Sequence, residues 1–221
     1  MILNNGSLEF LGHSGFLVNL RNKKIIIDPY RVSDSVPKAD IVLITHSHND
    51  HCSIKDIQKV SKKGTIVLCP VDCQSALMKI RNIEVHIVDR KDVLDFRDFK
   101  IECVHAYSFN KHHPQNEGWL GYVLKLGKDI IYFAGDTDLT PEVSKLSGYA
   151  KRENNFITVL PVSGHVSMDF LTAAKTAMLL NSKMAIPHGY GAGIYGTIED
   201  ANNFVELCGQ NGIRAQILDK I

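Results

Sequence analysis

Apolar residues along this chain come in short runs separated by polar turns. Residues 8–11, 16–20, 24–27 and 41–45 are such runs, rich in β-branched and aromatic side chains, and each predicts a strand. Residues 65–69 and 84–88 predict two more, between and after helices expected at 54–60 and at 73–79, the second opened by Asp72. A second wave follows, with strands at 101–105, 121–126 and 130–134, the last two joined as a hairpin through Gly127, Lys128 and Asp129. A strand at 156–160 precedes a helix over 168–180, where Phe170, Leu171, Ala174, Ala177 and Met178 recur at helical spacing. A strand at 184–186, a helix over 198–208 closed by Gly209, and a strand at 215–218 complete the pattern. Strands then helices, twice over and with no Pro/Gly/Ser-rich linker, fit an α/β (α+β) chain. Two sheets packed on each other, each covered outside by helices, would satisfy that order in a single domain over 1–221.

Composition narrows the picture. The chain has 221 residues, 44% hydrophobic and 22% charged, which excludes a disordered, collagen-like or coiled-coil protein and suffices for a good core. Lysine and arginine total 25 against 24 acids, so no broad positive field exists to hold nucleic acid, and the expected partner is a small-molecule substrate. No apolar run approaches the roughly 20 residues of a membrane span, and the first residues show neither a basic leader nor a small-residue cleavage site. A cytoplasmic location is expected. Five irregularly spaced cysteines without a CxxC pair point to reduced core thiols rather than to a disulfide framework or a cysteine-bound zinc. A homo-oligomer is the base-rate expectation.

Candidate chemistry concentrates where the 41–45 run ends. His46, His48, Asp50 and His51 fall within six positions. A strand end is a rigid rim from which side chains converge on a cavity, and imidazole nitrogen with carboxylate oxygen suits zinc. His46 and His48, as alternate residues, can point one way while Asp50 and His51 turn toward a second position. The competing reading is a solvated polar loop, which fits a lone histidine better than four donors in six residues.

The pattern HxHxDH, as it stands in His46, His48, Asp50 and His51, resembles the signature of the metallo-β-lactamase superfamily. YFAGDTD at 132–138 is similar to that family's Gly-Asp-Thr turn, which implies that Asp136 bridges two metals. LGHSGFLV at 11–18 and IIIDP at 25–29 resemble the opening strands of its small hydrolases, the branch near the ascorbate-6-phosphate lactonases and the N-acyl phosphatidylethanolamine phospholipases. Asp28 would there accept the other N–H of a ligating histidine, or else form the turn before Pro29. The fold implied is a four-layer αββα sandwich, and the cofactors are two divalent cations, zinc first and manganese second.

His105, His112 and His113 compete for the third histidine of the first metal. Asn110, Lys111, His113, Pro114, Gly118, Trp119, Gly121 and Tyr122 resemble one branch of small hydrolases and select His113, with His105 packed in its strand or behind the ligands and His112 facing solvent or serving as a reserve ligand. The last ligand is expected near 184–187, where the family pattern reads IPMHYG. Here Ile186, Pro187, His188, Gly189, Tyr190 and Gly191 put the histidine one residue early. Either the backbone shifts to bring His188 in, helped by the glycines that follow, or the second cation is weakly held or lost. His188 is the assignment. PVSGHVSM at 161–168 resembles the segment that opens the next helix, which makes His165, with Tyr190, a candidate substrate contact; a surface histidine at a helix start is the competing reading. His13 and His86 receive no role, and Cys52 is expected to pack behind the metal loop.

The activity implied is hydrolysis of an ester, lactone or phosphodiester by a metal-bound hydroxide that Asp50 orients. Three rivals differ in class. One is a metal-binding protein without turnover. Another is a nuclease of the transfer-RNA-processing kind, for which no basic arm is present. A third is a di-iron oxidoreductase, whose branch resembles HxExDH where this chain has His48.

Overall fold

The computed structural model describes residues 1–109 and 112–221, so Asn110 and Lys111 of the family-like stretch lie outside the described residues. The chain divides into two compact units: Met1–Asp89 with Leu218–Ile221, and Arg90–Ile217.

The first unit holds one seven-stranded sheet whose spatial order follows the chain: β1 (Ile2–Leu3), β2 (Gly6–Gly12), β3 (Gly15–Leu20), β4 (Lys24–Ile27), β5 (Ile41–Leu43), β6 (Thr65–Cys69) and β7 (Ile83–Ile87). Pairing is antiparallel from β1 to β4 and parallel from β4 to β7. Parallel neighbours need crossovers. Helix α1 (Ile54–Val60) crosses from β5 to β6, and α2 (Gln74–Leu77), entered by a 3-10 turn at Val71–Cys73, crosses from β6 to β7. That turn occupies the start of the helix expected at 73–79.

Leu17, Ile26, Val42 and Val67 form one row across β3 to β6. They share a buried cluster with Ile57 and Val60 of α1 and Leu77 of α2, so both helices cover this face of the sheet. The Asp56 carboxylate in α1 accepts the amides of Arg31 (3.0 Å) and Val32 (3.1 Å), tying the loop after β4 to that helix. Residues 218–221 return to this unit, where Lys220 bridges Phe10 and the Ile221 amide donates to the Phe10 carbonyl at 3.1 Å.

The second unit holds a six-stranded sheet, again in chain order: β8 (Val93–Phe96), β9 (Phe99–His105), β10 (Leu120–Leu126), β11 (Asp129–Phe133), β12 (Asn155–Pro161) and β13 (Met184–His188). It is antiparallel from β8 to β11 and parallel from β11 to β13. The short helix α3 (Pro141–Ser144) lies between β11 and β12, α4 (Phe170–Leu179) between β12 and β13, and α5 (Ile198–Gln210) after β13. Helix α4 buries Ala173, Ala174 and Ala177, side chains small enough to let it approach α5, which buries Ala201 and Phe204.

Two expectations change here. The strand expected at 215–218 does not form: Ala215 makes one bridge to Ala185, and the residues after Ile217 belong to the other unit. The β10–β11 hairpin is tighter than expected, because Asp129 pairs with Leu126 and leaves Gly127 and Lys128 as a two-residue turn. The composition reading of the cysteines agrees with five free, buried thiols. Among the described residues, no helix is long and apolar enough to cross a membrane.

Both units thus follow one plan, antiparallel strands first and parallel strands after. The carboxyl ends of parallel strands are where α/β sheets bind ligands. Asp28 follows β4, His46 lies just beyond β5, Asp136 just beyond β11, and His188 ends β13.

Candidate metal centre

In the first unit the chain turns sharply after β5, the amides of His51 and Cys52 both donating to the His48 carbonyl (3.0 and 2.7 Å). This turn folds the HxHxDH segment onto itself. The His46 ring lies 4.0 Å from that of His51 and 4.9 Å from that of His48. His46 and His51 are each 1% exposed, whereas His48 and Asp50 are partly exposed.

A network behind these rings fixes their tautomers. Asp28 Oδ1 accepts the Thr45 amide at 2.8 Å, and Asp28 Oδ2 accepts both the Thr45 hydroxyl (2.6 Å) and His51 Nδ1 (2.7 Å). With its proton given to Asp28, Thr45 Oγ1 accepts from His46 Nδ1 at 2.9 Å. Both histidines are therefore protonated on Nδ1, and each keeps the Nε2 lone pair for a cation. Asp28 is a buried acceptor at φ 42°, which goes beyond a turn former.

Asp50 Oδ2 lies 2.8 Å from His13 Nε2 and 3.7 Å from His51 Nε2. Burial pushes the Asp50 carboxyl up. The His13 hydrogen bond and the positive charge that His51 and His13 can carry outweigh burial, so the carboxyl sits well below the usual range. The donor atoms of His13, Asp50 and His51 all lie within 4.8 Å of one another. His13, which the sequence reading left without a role, is part of this cluster. Its signal was the pair of glycines, Gly12 and Gly15, that frame a histidine at a strand-to-strand turn.

In the second unit each residue of the Gly-Asp-Thr turn has its own task. Gly135 takes φ 62°, a left-handed conformation that turns the chain at once after β11. Thr137 Oγ1 donates to the Tyr107 carbonyl (2.9 Å) and accepts the Tyr107 amide (3.2 Å), clamping the turn to the segment that leads to His113. Asp136, between them, presents its Oδ2 3.7 Å from His113 Nε2. His113 is fully buried, its ring 4.6 Å from that of Trp119 at a steep angle. His105 is partly exposed within β9 and His112 is exposed.

His188 is 3% exposed, and its carbonyl accepts the Val162 amide at 3.1 Å. The segment after it has Gly189, Gly191, Gly193 and Gly196 at positive φ. Gly196 is obligatory, because a Cβ there would lie 2.1 Å from the Gly189 carbonyl oxygen. Tyr190 is buried, while His165 is exposed and stacks on Tyr195 with centroids 4.2 Å apart and planes at 15°.

The donor groups are imidazole and carboxylate, with the His46 and His51 rings held from behind by oxygen acceptors, and such chemistry fits a borderline divalent cation such as zinc. The family model described as a beta-lactamase superfamily domain matches residues 7–188. A UPF0173 metal-dependent hydrolase of Nanoarchaeum equitans is 30% identical over 220 residues, 96% of this chain and 96% of that one. A crystal structure from Parabacteroides distasonis, described as a metal-dependent hydrolase, superposes with a TM-score of 0.80 at 28% identity, covering 97% of this chain and 93% of that one. The metallo-beta-lactamase fold protein YhfI of Bacillus subtilis gives a TM-score of 0.72 at 13% identity over 98% of this chain and 93% of its own, a likeness of fold alone. The chain therefore has the metallo-β-lactamase fold. Within that superfamily it belongs to the UPF0173 family of metal-dependent hydrolases.

Proposed function

We propose that this chain hydrolyses a small ester, lactone or phosphodiester with the help of two divalent cations, zinc foremost and manganese as the alternative. The observation that carries the reading is the network in which Asp28 and Thr45 occupy Nδ1 of His51 and His46 and leave both Nε2 atoms for a cation. In this reading, which the motif resemblance supports, His46, His48 and His113 would hold one cation, Asp50, His51 and His188 the other, and Asp136 would serve both. The family match over residues 7–188 takes in most of both units and supports reading them as one domain.

When bound, such cations supply an activated water and an electrophilic partner for a carbonyl or phosphoryl oxygen. The chain's own residues supply orientation and proton transfer. Asp28 holds the His51 ring through Nδ1 and keeps it in one tautomer. Asp50 accepts a proton from the attacking water and passes it to the leaving group. Cys52, buried among apolar side chains, packs behind the loop and takes no part in the chemistry. His165 and Tyr190 are the proposed substrate contacts. The near-zero net charge suits a small substrate, and the cytoplasm is the proposed compartment.

Protein purified without chelator is expected to carry two equivalents of zinc or manganese. It is expected to cleave members of a panel of p-nitrophenyl phosphodiesters, lactones and acyl esters. His48→Ala and Asp136→Ala should each lower that rate about a hundredfold or more. Hydrolysis undiminished in both variants would rule out the mechanism. Metal uptake without turnover on any of the panel would favour a binding protein.

A further inference from the structure

Strands β2 and β3 are joined through Gly12, His13, Ser14 and Gly15, and the backbone there is unusual in two ways. The pairing register slips between Phe10 and Gly12. Such bulges bend a strand and re-aim the side chains beside them. Gly12 then takes φ 104° and His13 takes φ 54°. For a residue with a Cβ the left-handed region costs about 1 kcal/mol or more, and it persists only where the surroundings demand it. The turn is also packed against the loop that carries Asp28, since a Cβ on Gly15 would lie 3.2 Å from the Asp28 carbonyl oxygen.

What this backbone achieves is the placement of one ring. His13 is 4% exposed, lies 5.7 Å from the Tyr30 ring and 5.8 Å from the His51 ring, and brings Nε2 to 2.8 Å from Asp50 Oδ2. Asp50 needs such a partner because it sits between exposed Asn49 and buried His51, on a loop whose Ser47 is also exposed. A carboxylate there without a fixed donor would exchange rotamers with solvent.

We propose that His13 is a positioning residue for Asp50: its Nε2–H donates to Oδ2 and fixes the plane and rotamer in which the carboxylate stands beside His51. The role rests on the metal-hydrolase reading above, in which Asp50 is a ligand. It differs from ligation by His13 itself, although its nitrogen is close enough to His51 for that alternative.

Glutamine separates the two, because its side-chain amide reaches the position of Nε2 and donates a proton but ligates zinc poorly. The intact chain, stripped of metal, would be titrated with Zn2+ against a chromophoric chelator as wild type, His13→Gln, His13→Asn and His13→Ala. The second equivalent should bind about 10–100-fold more weakly in His13→Ala and His13→Asn, whose amide falls short, and within about threefold of wild type in His13→Gln. The first equivalent should be unchanged throughout. A His13→Ala chain that titrates like wild type would overturn the proposal, and so would a His13→Gln chain as weak as His13→Asn. The Gln and Asn pair keeps the test decisive if the alanine variant does not fold. A wild-type chain that takes up no zinc would instead strike the proposed function. His13 would then be judged on the stripped protein by 15N-edited spectra, where an Nε2–H ring supports the contact and a neutral Nδ1–H ring refutes it.

Discussion

Tyr132 lies within β11 with its side chain fully buried, and its hydroxyl has no hydrogen-bond partner among the described residues. Burial pushes that hydroxyl's pKa up and costs the fold the solvation of one polar group. Tyr132→Phe removes the orphan while keeping the ring that packs over Gly121, so it should stabilise the protein by about 1 kcal/mol. A urea midpoint unchanged or lowered at constant slope would count against this. Single residues were legible in the sequence to the extent that chemistry and spacing suffice. Three imidazoles and a carboxylate in six positions announce themselves wherever the chain goes. Asp28 was half legible, because an aspartate before a proline also makes a turn, and only the folded chain brings it to 2.7 Å from His51. His13 was legible only as a histidine framed by Gly12 and Gly15, because its contact with Asp50 is made across 37 positions and depends on a register slip between Phe10 and Gly12.

Elements follow the same division. Strands β4 to β6 and β10 to β12 read correctly because they are predominantly apolar, the mark of parallel or centrally placed strands. Strand β8 was missed because Val93–Phe96 is only four residues long and none of them is buried, and its place depends on pairing with β9 across the turn at Arg97 and Asp98, where Phe96 stacks on Phe99 at 4.8 Å. The strand expected at 215–218 failed for the opposite reason, since an apolar run whose two ends serve different units has no ladder to join. Helix α5 is the element with the clearest local device. Thr197 Oγ1 accepts the Asp200 amide at 3.1 Å and the Asp200 carboxylate accepts the Thr197 amide at 2.7 Å, a reciprocal cap where the glycine-rich segment ends. Thr197→Ala should therefore destabilise the protein by about 1 kcal/mol, with Thr197→Ser near wild type. Thermal melts of the pair check this, and equal losses in both would show that the hydroxyl is not what matters.

At the scale of the whole molecule, bound cations should act as a stabilising ligand. Anything held only by the folded state adds RT ln(1 + [L]/Kd), about 2.7 kcal/mol at a hundredfold excess over Kd. For a chain of this size that corresponds to a melting temperature roughly 5–10 °C lower after chelation, restored by added zinc. A melting curve indifferent to chelator would argue that the donors hold no metal with useful affinity. The first unit is also discontinuous, taking in residues 218–221 beside Phe10 after the entire second unit has intervened. Lys220 runs close against Gly12, where a Cβ would lie 3.0 Å from its Cε, so the late segment braces the bulge beneath His13. During synthesis on a ribosome, then, the amino-terminal sheet emerges early, yet that corner stays without its brace until the whole second unit has been made and residues 218–221 follow it.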